Sequence, residues 1–270
     1  IIPVVEIDEL DWASLFAEDA ERSRLDEAPR YAIPHKVSIS PETHGLWERV
    51  DARTVRWTVR VRSMNAISLN LGFEQWQLPN SATMTISTVD QSMAIRPFTS
   101  ADNKEHGQLW TPAIQGEELL IEIVVAINER QFVNKQIELT SINVGYRGFY
   151  EQGVDRSGSC NYDVVCEEGD LWWDEIPCVA VISTGGSTFC TGFMVNNTSQ
   201  DRTPYFMTAN HCGVSSSSAP SLVTYWNYQN SYCRVPGSGD SGGAGDGQLN
   251  QFNTGATHLS SGSFSDYTLV

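Results

Sequence analysis

The sequence predicts an all-β protein made of two folding units, with one short helix near its start. Three observations support this fold class. Apolar and polar residues alternate in several short runs, which is the pattern of half-buried antiparallel strands. Turn-rich stretches separate these runs. All six cysteines lie between residues 160 and 233 of the 270, so a cysteine-free unit precedes a cysteine-rich one.

The first element is a helix, predicted over residues 8–25 in the stretch DELDWASLFAEDAERSRL. Its apolar residues form a rough stripe at helical spacing. The acidic pair Asp8 and Glu9 suits the positive end of the helix dipole, so we expect both in the first turn. Residues 1–31 are therefore assigned to an N-terminal segment with a helix.

Residues 32–152 are predicted to form a β-sandwich. In the run VRWTVRVR, residues 55–62, every second residue is apolar. Similar alternation occurs at Met84 and Ile86 and again in LLIEIVVA, residues 119–126. Loops separate these runs at the spacing of a sandwich of short strands.

Residues 153–270 are predicted to form a second all-β unit, a barrel or part of one. Short apolar runs such as VAVIS, TGFMV and YFMTA alternate with loops rich in glycine, serine and asparagine. The cysteines of this unit indicate disulfide bonds and export, because disulfides form in oxidising compartments. Without a CxxC pair we expect no zinc site and no cofactor.

The charge and the hydropathy of the chain exclude two classes of partner. The net charge is −16 at pH 7, which disfavours nucleic acid because phosphate binding needs a basic patch. The sequence has no apolar run of about 18 residues, so we expect no membrane partner. The opening IIPVV is too short for a signal-peptide core and indicates a processed or engineered N-terminus.

Several motifs of the second unit together resemble one protease family. The stretches SGSCNYDVVC, CTGFMVNN, TANHCG and YWNYQNSYC resemble the N-terminal half of the catalytic domain of bacterial lysyl endopeptidases. Upstream, SLNLGF, LWTPAIQGEELLIE and VGYRGF are similar to the propeptide domain of the same family. The resemblance implies a secreted serine protease, with a sandwich prodomain followed by the first barrel of a chymotrypsin-like double barrel.

The resemblance also implies catalytic roles for two residues. His211, in TANHCG, corresponds to the general base, although Asn210 departs from the TAHHC or TAAHC of the family. Asp266, in SFSDYTLV, corresponds to the carboxylate that orients the base. The alternatives are an ordinary loop histidine and an acidic turn residue. In this order the nucleophilic serine follows the aspartate, so we expect it beyond residue 270.

The stretch GSGDSGG, residues 237–243, spells the nucleophile motif of trypsin-like proteases around Ser241. A nucleophile elbow needs a strand before the serine and a helix after it, whereas glycines flank Ser241 on both sides. His211 also precedes it in the chain. We therefore expect Ser241 to be a loop residue without a catalytic role.

Disulfide pairing is likewise implied by the resemblance. The pairs expected from it are Cys190–Cys212 and Cys166–Cys233. Cys160 is expected to reach a cysteine beyond residue 270. Cys178 is additional to the family pattern, and it either finds its own downstream partner or bonds to Cys160.

A polar stretch, YRGFYEQGVDRSGSC, joins the two units and has the composition of an accessible linker. Two cuts are candidates for its processing, Gln152–Gly153 and Arg156–Ser157. The predicted protein is the zymogen of an endopeptidase that cleaves after basic residues, with lysine favoured and arginine possible. Its partners would be protein or peptide substrates and the C-terminal half of the same protease, missing here or a separate chain.

The predicted location is extracellular, or periplasmic in a bacterium. The alternative function is a secreted, non-enzymatic binding or adhesion protein whose second unit is a degenerate protease.

Overall fold

The computed structural model describes residues 2–25, 27–148, 160–243 and 245–270. Strands dominate these residues, so the predicted all-β class is confirmed. The α-helices are α1 (Trp12–Arg24) and α2 (Arg130–Gln136). The strands of the N-terminal unit are β1 (Val4–Ile7), β2 (Ala32–Ile39), β3 (Leu46–Arg49), β4 (Thr54–Ser63), β5 (Ser68–Trp76), β6 (Thr83–Thr88), β7 (Leu109–Trp110), β8 (Ile114–Gln115), β9 (Glu118–Ala126) and β10 (Ile137–Gly145). The strands of the second unit are β11 (Val179–Thr184), β12 (Thr188–Val195), β13 (Tyr205–Thr208), β14 (Val223–Trp226), β15 (Phe252–Thr254), β16 (Ser260–Gly262) and β17 (Tyr267–Leu269).

The N-terminal unit consists of two five-stranded sheets that share one apolar core. The first sheet has the order β1-β4-β9-β6, with β3 also paired to β4. The second has the order β2-β10-β5-β7, with β8 also paired to β5. Strand β1 runs parallel to β4, so the segment of residues 1–31 contributes a strand to this sandwich.

The period-two alternation seen in the sequence marks the core faces of the strands. Val59 and Val61 of β4 are fully buried, as are Ile121 and Ile123 of β9. Val59 lies directly opposite Ile121 in the antiparallel β4–β9 pair. Each such side chain contributes about 1.5–3 kcal/mol by leaving water, so these facing rows stabilise the pairing of β4 with β9.

Helix α1 begins at Trp12, four residues later than predicted. Its N-cap is Asp11, whose carboxylate accepts a hydrogen bond from the Ser14 amide at 3.3 Å. A short acidic side chain at this position satisfies an otherwise unpaired helical N–H, which fixes the start of the helix. The expectation that Asp8 and Glu9 occupy the first turn was therefore wrong, because both precede the cap.

The most buried residue of α1 is a charged one, Asp19. Its carboxylate bonds to the Arg30 guanidinium at 2.7 Å and to the Arg147 guanidinium at 3.0 Å. It also accepts the hydroxyl hydrogen of Tyr146 at 2.7 Å, and burial raises the pKa of that phenol above its ordinary value. A buried carboxylate needs such partners to offset its desolvation. The cluster fixes α1 to Arg30 and to the chain that follows β10.

The second unit is a seven-stranded antiparallel sheet of order β15-β14-β11-β12-β13-β17-β16. A separate, smaller apolar core lies beneath it, and its buried members are Ala180, Ile182, Phe206, Val214, Ala219, Leu222 and Val270. The chymotrypsin-like barrel stays a prediction. Within the described residues, every helix is too short or too polar to cross a bilayer.

The two units pack directly against each other. Tyr31, Ala32 and Trp110 of the N-terminal unit form a buried cluster with Val223 and Tyr225 of the second unit. Burying apolar side chains between two bodies removes their surface from water and holds the bodies together. The linker is therefore not the sole connection between the units.

His106 of the N-terminal unit lies at this contact. Its Nδ1 accepts a hydrogen bond from the Gln108 amide at 3.2 Å. A Cβ added at Gly255 would lie 2.7 Å from its Nε2, so the imidazole is pressed against the second unit. Burial, with Lys104 as a lesser cause, lowers the pKa of His106 below its ordinary value of 6.5.

We expect the folded chain to lose stability as the pH falls below about 6.5. The unfolded chain then binds a proton that folded His106 resists, so the unfolded state is favoured until the pH passes below the folded-state pKa. Urea unfolding at pH 7.5 and 5.5 measures this loss. His106→Gln should reduce the pH difference, whereas His44→Gln, at an exposed histidine, should preserve it. Equal pH differences in the two variants would contradict this role.

Candidate active site

Strand pairing brings His211 and Asp266 together. His211 lies in the 3₁₀ turn Asn210–Cys212, which follows β13, and Asp266 immediately precedes β17. Strands β13 and β17 are antiparallel neighbours, with Thr208 opposite Thr268. The end of one strand therefore lies beside the start of the other, and this pairing brings together two residues with a sequence separation of 55.

Both oxygens of the Asp266 carboxylate bind His211. Oδ2 lies 2.7 Å from the imidazole Nδ1, and Oδ1 accepts a hydrogen bond from the backbone N–H of His211 at 2.9 Å. These two hydrogen bonds hold the pKa of the Asp266 carboxyl below its ordinary value. The carboxylate is therefore ionised at neutral pH, and it can only accept hydrogen bonds.

The ionised carboxylate determines the tautomer of His211. Because Asp266 offers only lone pairs, the neutral imidazole carries its hydrogen on Nδ1 and presents a lone pair on Nε2. The His211 side chain is 60% exposed and the Asp266 side chain is 49% exposed. The pair can thus accept a proton at Nε2 and stabilise the resulting imidazolium, which is what a general base requires.

The backbone of Asp266 has a conformation that the sequence did not indicate. Its φ is +47°, in the left-handed region that few residues other than glycine, asparagine and aspartate adopt readily. This conformation places the carboxylate where it can bind the backbone and the side chain of His211 at once. The sequence signal for it is weak, because aspartate also occupies many turns with negative φ.

A disulfide bond fixes the chain beside His211. Cys190 of β12 is bonded to Cys212, which is buried, and their Cα atoms are 5.9 Å apart. The next residue, Gly213, has φ +76° and ends the 3₁₀ turn. His211 is therefore held on one side by a covalent bond and on the other by Asp266.

The donor atoms of Cys190, His211 and Cys212 lie within 4.8 Å of one another, close enough in principle to hold a metal ion. The two sulfur atoms are bonded to each other, so neither is a thiolate. A metal would have to bind thiolates to use this site. The chemistry of these donors therefore favours a disulfide bond beside a histidine over a metal site.

The second disulfide bond joins Cys166 to Cys233. An ion pair that the sequence reasoning missed flanks it: Asp163 binds the Arg234 guanidinium at 2.7 Å and also its backbone N–H at 2.9 Å. The signal was available, since each charged residue lies within three positions of a cysteine. Cys160 and Cys178 are free thiols in this structure, and both are exposed.

The other candidate residues lie elsewhere. The Ser241 amide donates to the Ser238 carbonyl at 3.2 Å, within a turn of the loop between β14 and β15. Within the described residues of that loop, no strand directly precedes Ser241 and no helix directly follows it, as a nucleophile elbow would require. The four residues at the candidate processing sites lie outside the described residues: Gln152, Gly153, Arg156 and Ser157.

Comparison with known proteins finds similarity to lysyl endopeptidases. Residues 154–270 match the family model described as lysyl endopeptidase, C-terminal domain. The chain is also 29% identical over 232 residues to a lysyl endopeptidase of Pseudomonas aeruginosa, covering 76% of this chain and 49% of that protein. The chain thus spans about half the length of this relative. Since 76% exceeds the share of the second unit, the similarity extends into the sandwich, and both comparisons support a lysyl endopeptidase-like protein.

Proposed function

We propose that this chain belongs to a secreted serine endopeptidase, with His211 as its general base and Asp266 as the residue that orients the base. The observation that carries the proposal is the double hydrogen bond from His211 to the Asp266 carboxylate. Similarity to lysyl endopeptidases supports the same reaction. The two disulfide bonds of the second unit fit an exported protein.

In the proposed mechanism, His211 Nε2 removes the hydrogen of a serine hydroxyl as that oxygen attacks the peptide carbonyl. The proton then passes from Nε2 to the amine that leaves. Asp266 keeps the ring in the required tautomer and stabilises the imidazolium that forms between the two steps. We place the serine, the oxyanion hole and the specificity pocket beyond residue 270, in the half of the relative's length that this chain does not cover.

The N-terminal unit is proposed to be a propeptide that is removed by a cut in the linker, at Gln152–Gly153 or at Arg156–Ser157. The side chains of His211 and Asp266 stay exposed while the sandwich is packed against the second unit, and this limits how the propeptide would act. The described part of the N-terminal unit leaves the His–Asp pair open to solvent. Its role would then be to hold the second unit, and not to cover these two residues.

The function is tested with fluorogenic peptides that differ in the residue before the cleaved bond, using the complete, processed protein. We expect hydrolysis after lysine to exceed that after arginine, with little after uncharged residues. His211→Ala should abolish turnover, since loss of a triad base costs several orders of magnitude. Ser241→Ala, the control, should keep turnover within a few fold of the parent protein.

Activity lost in Ser241→Ala with the fold intact would make Ser241 the nucleophile and overturn this assignment. Absence of hydrolysis for every peptide would instead favour the non-enzymatic adhesin. The intact pairing of His211 with Asp266 does not favour that alternative, because a degenerate site has no need of it.

A further inference from the structure

A short segment of the N-terminal unit lies along the β11–β12 hairpin of the second unit. This segment, residues 29–32, is named the docking segment. The Tyr31 amide donates to the Ser187 carbonyl at 2.8 Å, and the Phe189 amide donates to the Pro29 carbonyl at 3.0 Å. Arg30 forms an antiparallel bridge with Thr188. The docking segment thus pairs with the hairpin as an added strand does, through main-chain hydrogen bonds.

Tyr31 anchors the docking segment. It is fully buried, and its hydroxyl accepts a hydrogen bond from the Asn70 amide at 3.1 Å. The same hydroxyl lies 2.9 Å from Ser183 Oγ of β11, to which it can donate its hydrogen. Burial raises the pKa of Tyr31, so the phenol keeps this hydrogen. One side chain therefore joins both units, with its polar atom satisfied from each of them.

The turn of the β11–β12 hairpin contacts two asparagines of the sandwich closely. Gly186 has φ +65°, and its carbonyl accepts a hydrogen bond from the Asn70 side-chain amide at 3.0 Å. A Cβ at Gly186 would lie 2.2 Å from Asn143 Nδ2 and 2.5 Å from Asn70 Oδ1. Both asparagines are buried and bond to each other at 2.8 Å, so they have little room to yield. The contact requires a residue without a side chain.

The neighbouring glycine of the same turn differs in this one respect. Gly185 also has positive φ, at +60°, but the nearest atom to its added Cβ would be Ser187 Oγ at 3.9 Å. Alanine would therefore strain the backbone at both positions, because a left-handed φ disfavours any side chain. Only the alanine side chain at Gly186 would also clash with residues of the N-terminal unit.

Apolar contacts lie beside the docking segment, and together with it they form a surface named the docking surface. Ala32 and Trp110 of the N-terminal unit pack with Val223 and Tyr225. The Tyr225 hydroxyl accepts a hydrogen bond from the Ala113 amide at 3.2 Å. The contact therefore has an apolar centre with paired polar groups, as stable interfaces between proteins do.

The docking surface is separate from the His–Asp pair. His211 and Asp266 keep 60% and 49% of their side chains exposed while the docking segment is in place. The connection between the two sites is short along the chain. Cys190, bonded to Cys212, follows Thr188 by two positions.

We propose that residues 29–32, anchored by Tyr31 and seated on the Gly186 turn, are the element by which the N-terminal unit binds the second unit. The two units then remain associated after the linker between them is cut. This inference rests on the proposed function for the cut alone, because the contacts themselves belong to the intact chain.

The test separates the units without relying on self-processing. A recognition site for an added, site-specific protease is inserted between Gln152 and Gly153 of the complete protein. After cutting, gel filtration and titration measure the dissociation constant of the two fragments. We expect the parent fragments to co-elute at micromolar concentration. Gly186→Ala should raise the dissociation constant by roughly tenfold or more, while the matched control Gly185→Ala should stay within a few fold of the parent.

A second variant, Tyr31→Phe, keeps the volume of the anchor and removes its hydroxyl. It should weaken association by roughly tenfold, because Asn70 and Ser183 lose a buried partner. It also provides the answer if Gly186→Ala fails to fold. Parent fragments that separate on cutting would overturn the lasting association, and a Tyr31→Phe complex as tight as the parent would overturn the anchor. The readout is binding, so a failed peptide assay would leave these results unaffected.

Discussion

If the proposed mechanism holds, replacing Asp266 by asparagine is expected to lower kcat of the complete protein by about 10⁴-fold. The asparagine amide can donate to His211 Nδ1, which moves the ring hydrogen to Nε2 and removes the lone pair that accepts the serine proton. The charge that stabilises the imidazolium is lost as well. Substrate contacts are not altered, so KM should change by only a few fold.

Asparagine is the appropriate replacement because of the backbone at this position. The φ of Asp266 is +47°, a conformation in which asparagine is among the best tolerated residues. Alanine would add strain of about 1–2 kcal/mol, so its effect on folding would be mixed with its effect on catalysis. Asp240→Asn, in the loop between β14 and β15, is the matched control and should leave kcat within a few fold of the parent. More than a tenth of parent activity in Asp266→Asn would remove this residue from the mechanism.

Period-two alternation predicted the sandwich strands well, because one face of each strand must be apolar when two sheets share a core. Val59 and Ile121 are examples: each lies at the position that the pattern gave to the core. The predicted start of α1 was wrong. Asp8, Glu9 and Asp11 are all acidic residues near the start of the helix, and local backbone geometry decides that Asp11 is the N-cap.

The candidate site divides in the same way. The resemblance named His211 and Asp266, and the structure places them in hydrogen-bond contact. The second hydrogen bond, from the His211 backbone, depends on the positive φ of Asp266, which no pattern of residue types encodes. The docking segment was not predicted either. Four residues carry no periodicity, and their partners in the second unit lie more than 150 positions away along the chain.

Loss of the Cys166–Cys233 bond is expected to lower stability more, whereas loss of the Cys190–Cys212 bond is expected to lower kcat more. Cys166–Cys233 closes a loop with a sequence separation of 67, and Cys190–Cys212 one of 22. In the chain-entropy model, losing the longer loop costs about 4 kcal/mol and losing the shorter one about 3 kcal/mol. Each pair of cysteines is replaced by serine in turn. In urea unfolding, the variant without Cys166–Cys233 should therefore be less stable than the variant without Cys190–Cys212.

For turnover, we expect the variant without Cys190–Cys212 to be the more impaired of the two. Cys212 directly follows His211, so removing its bond to Cys190 frees the turn that holds the proposed general base. Small displacements of a catalytic group cost large factors in rate, and we expect kcat to fall by roughly a hundredfold. The chain around Cys166 and Cys233 keeps the Asp163–Arg234 ion pair, so that variant should retain kcat within a few fold when assayed below its unfolding midpoint. If both variants lost turnover in proportion to their stability, the disulfide beside His211 would have a purely structural role.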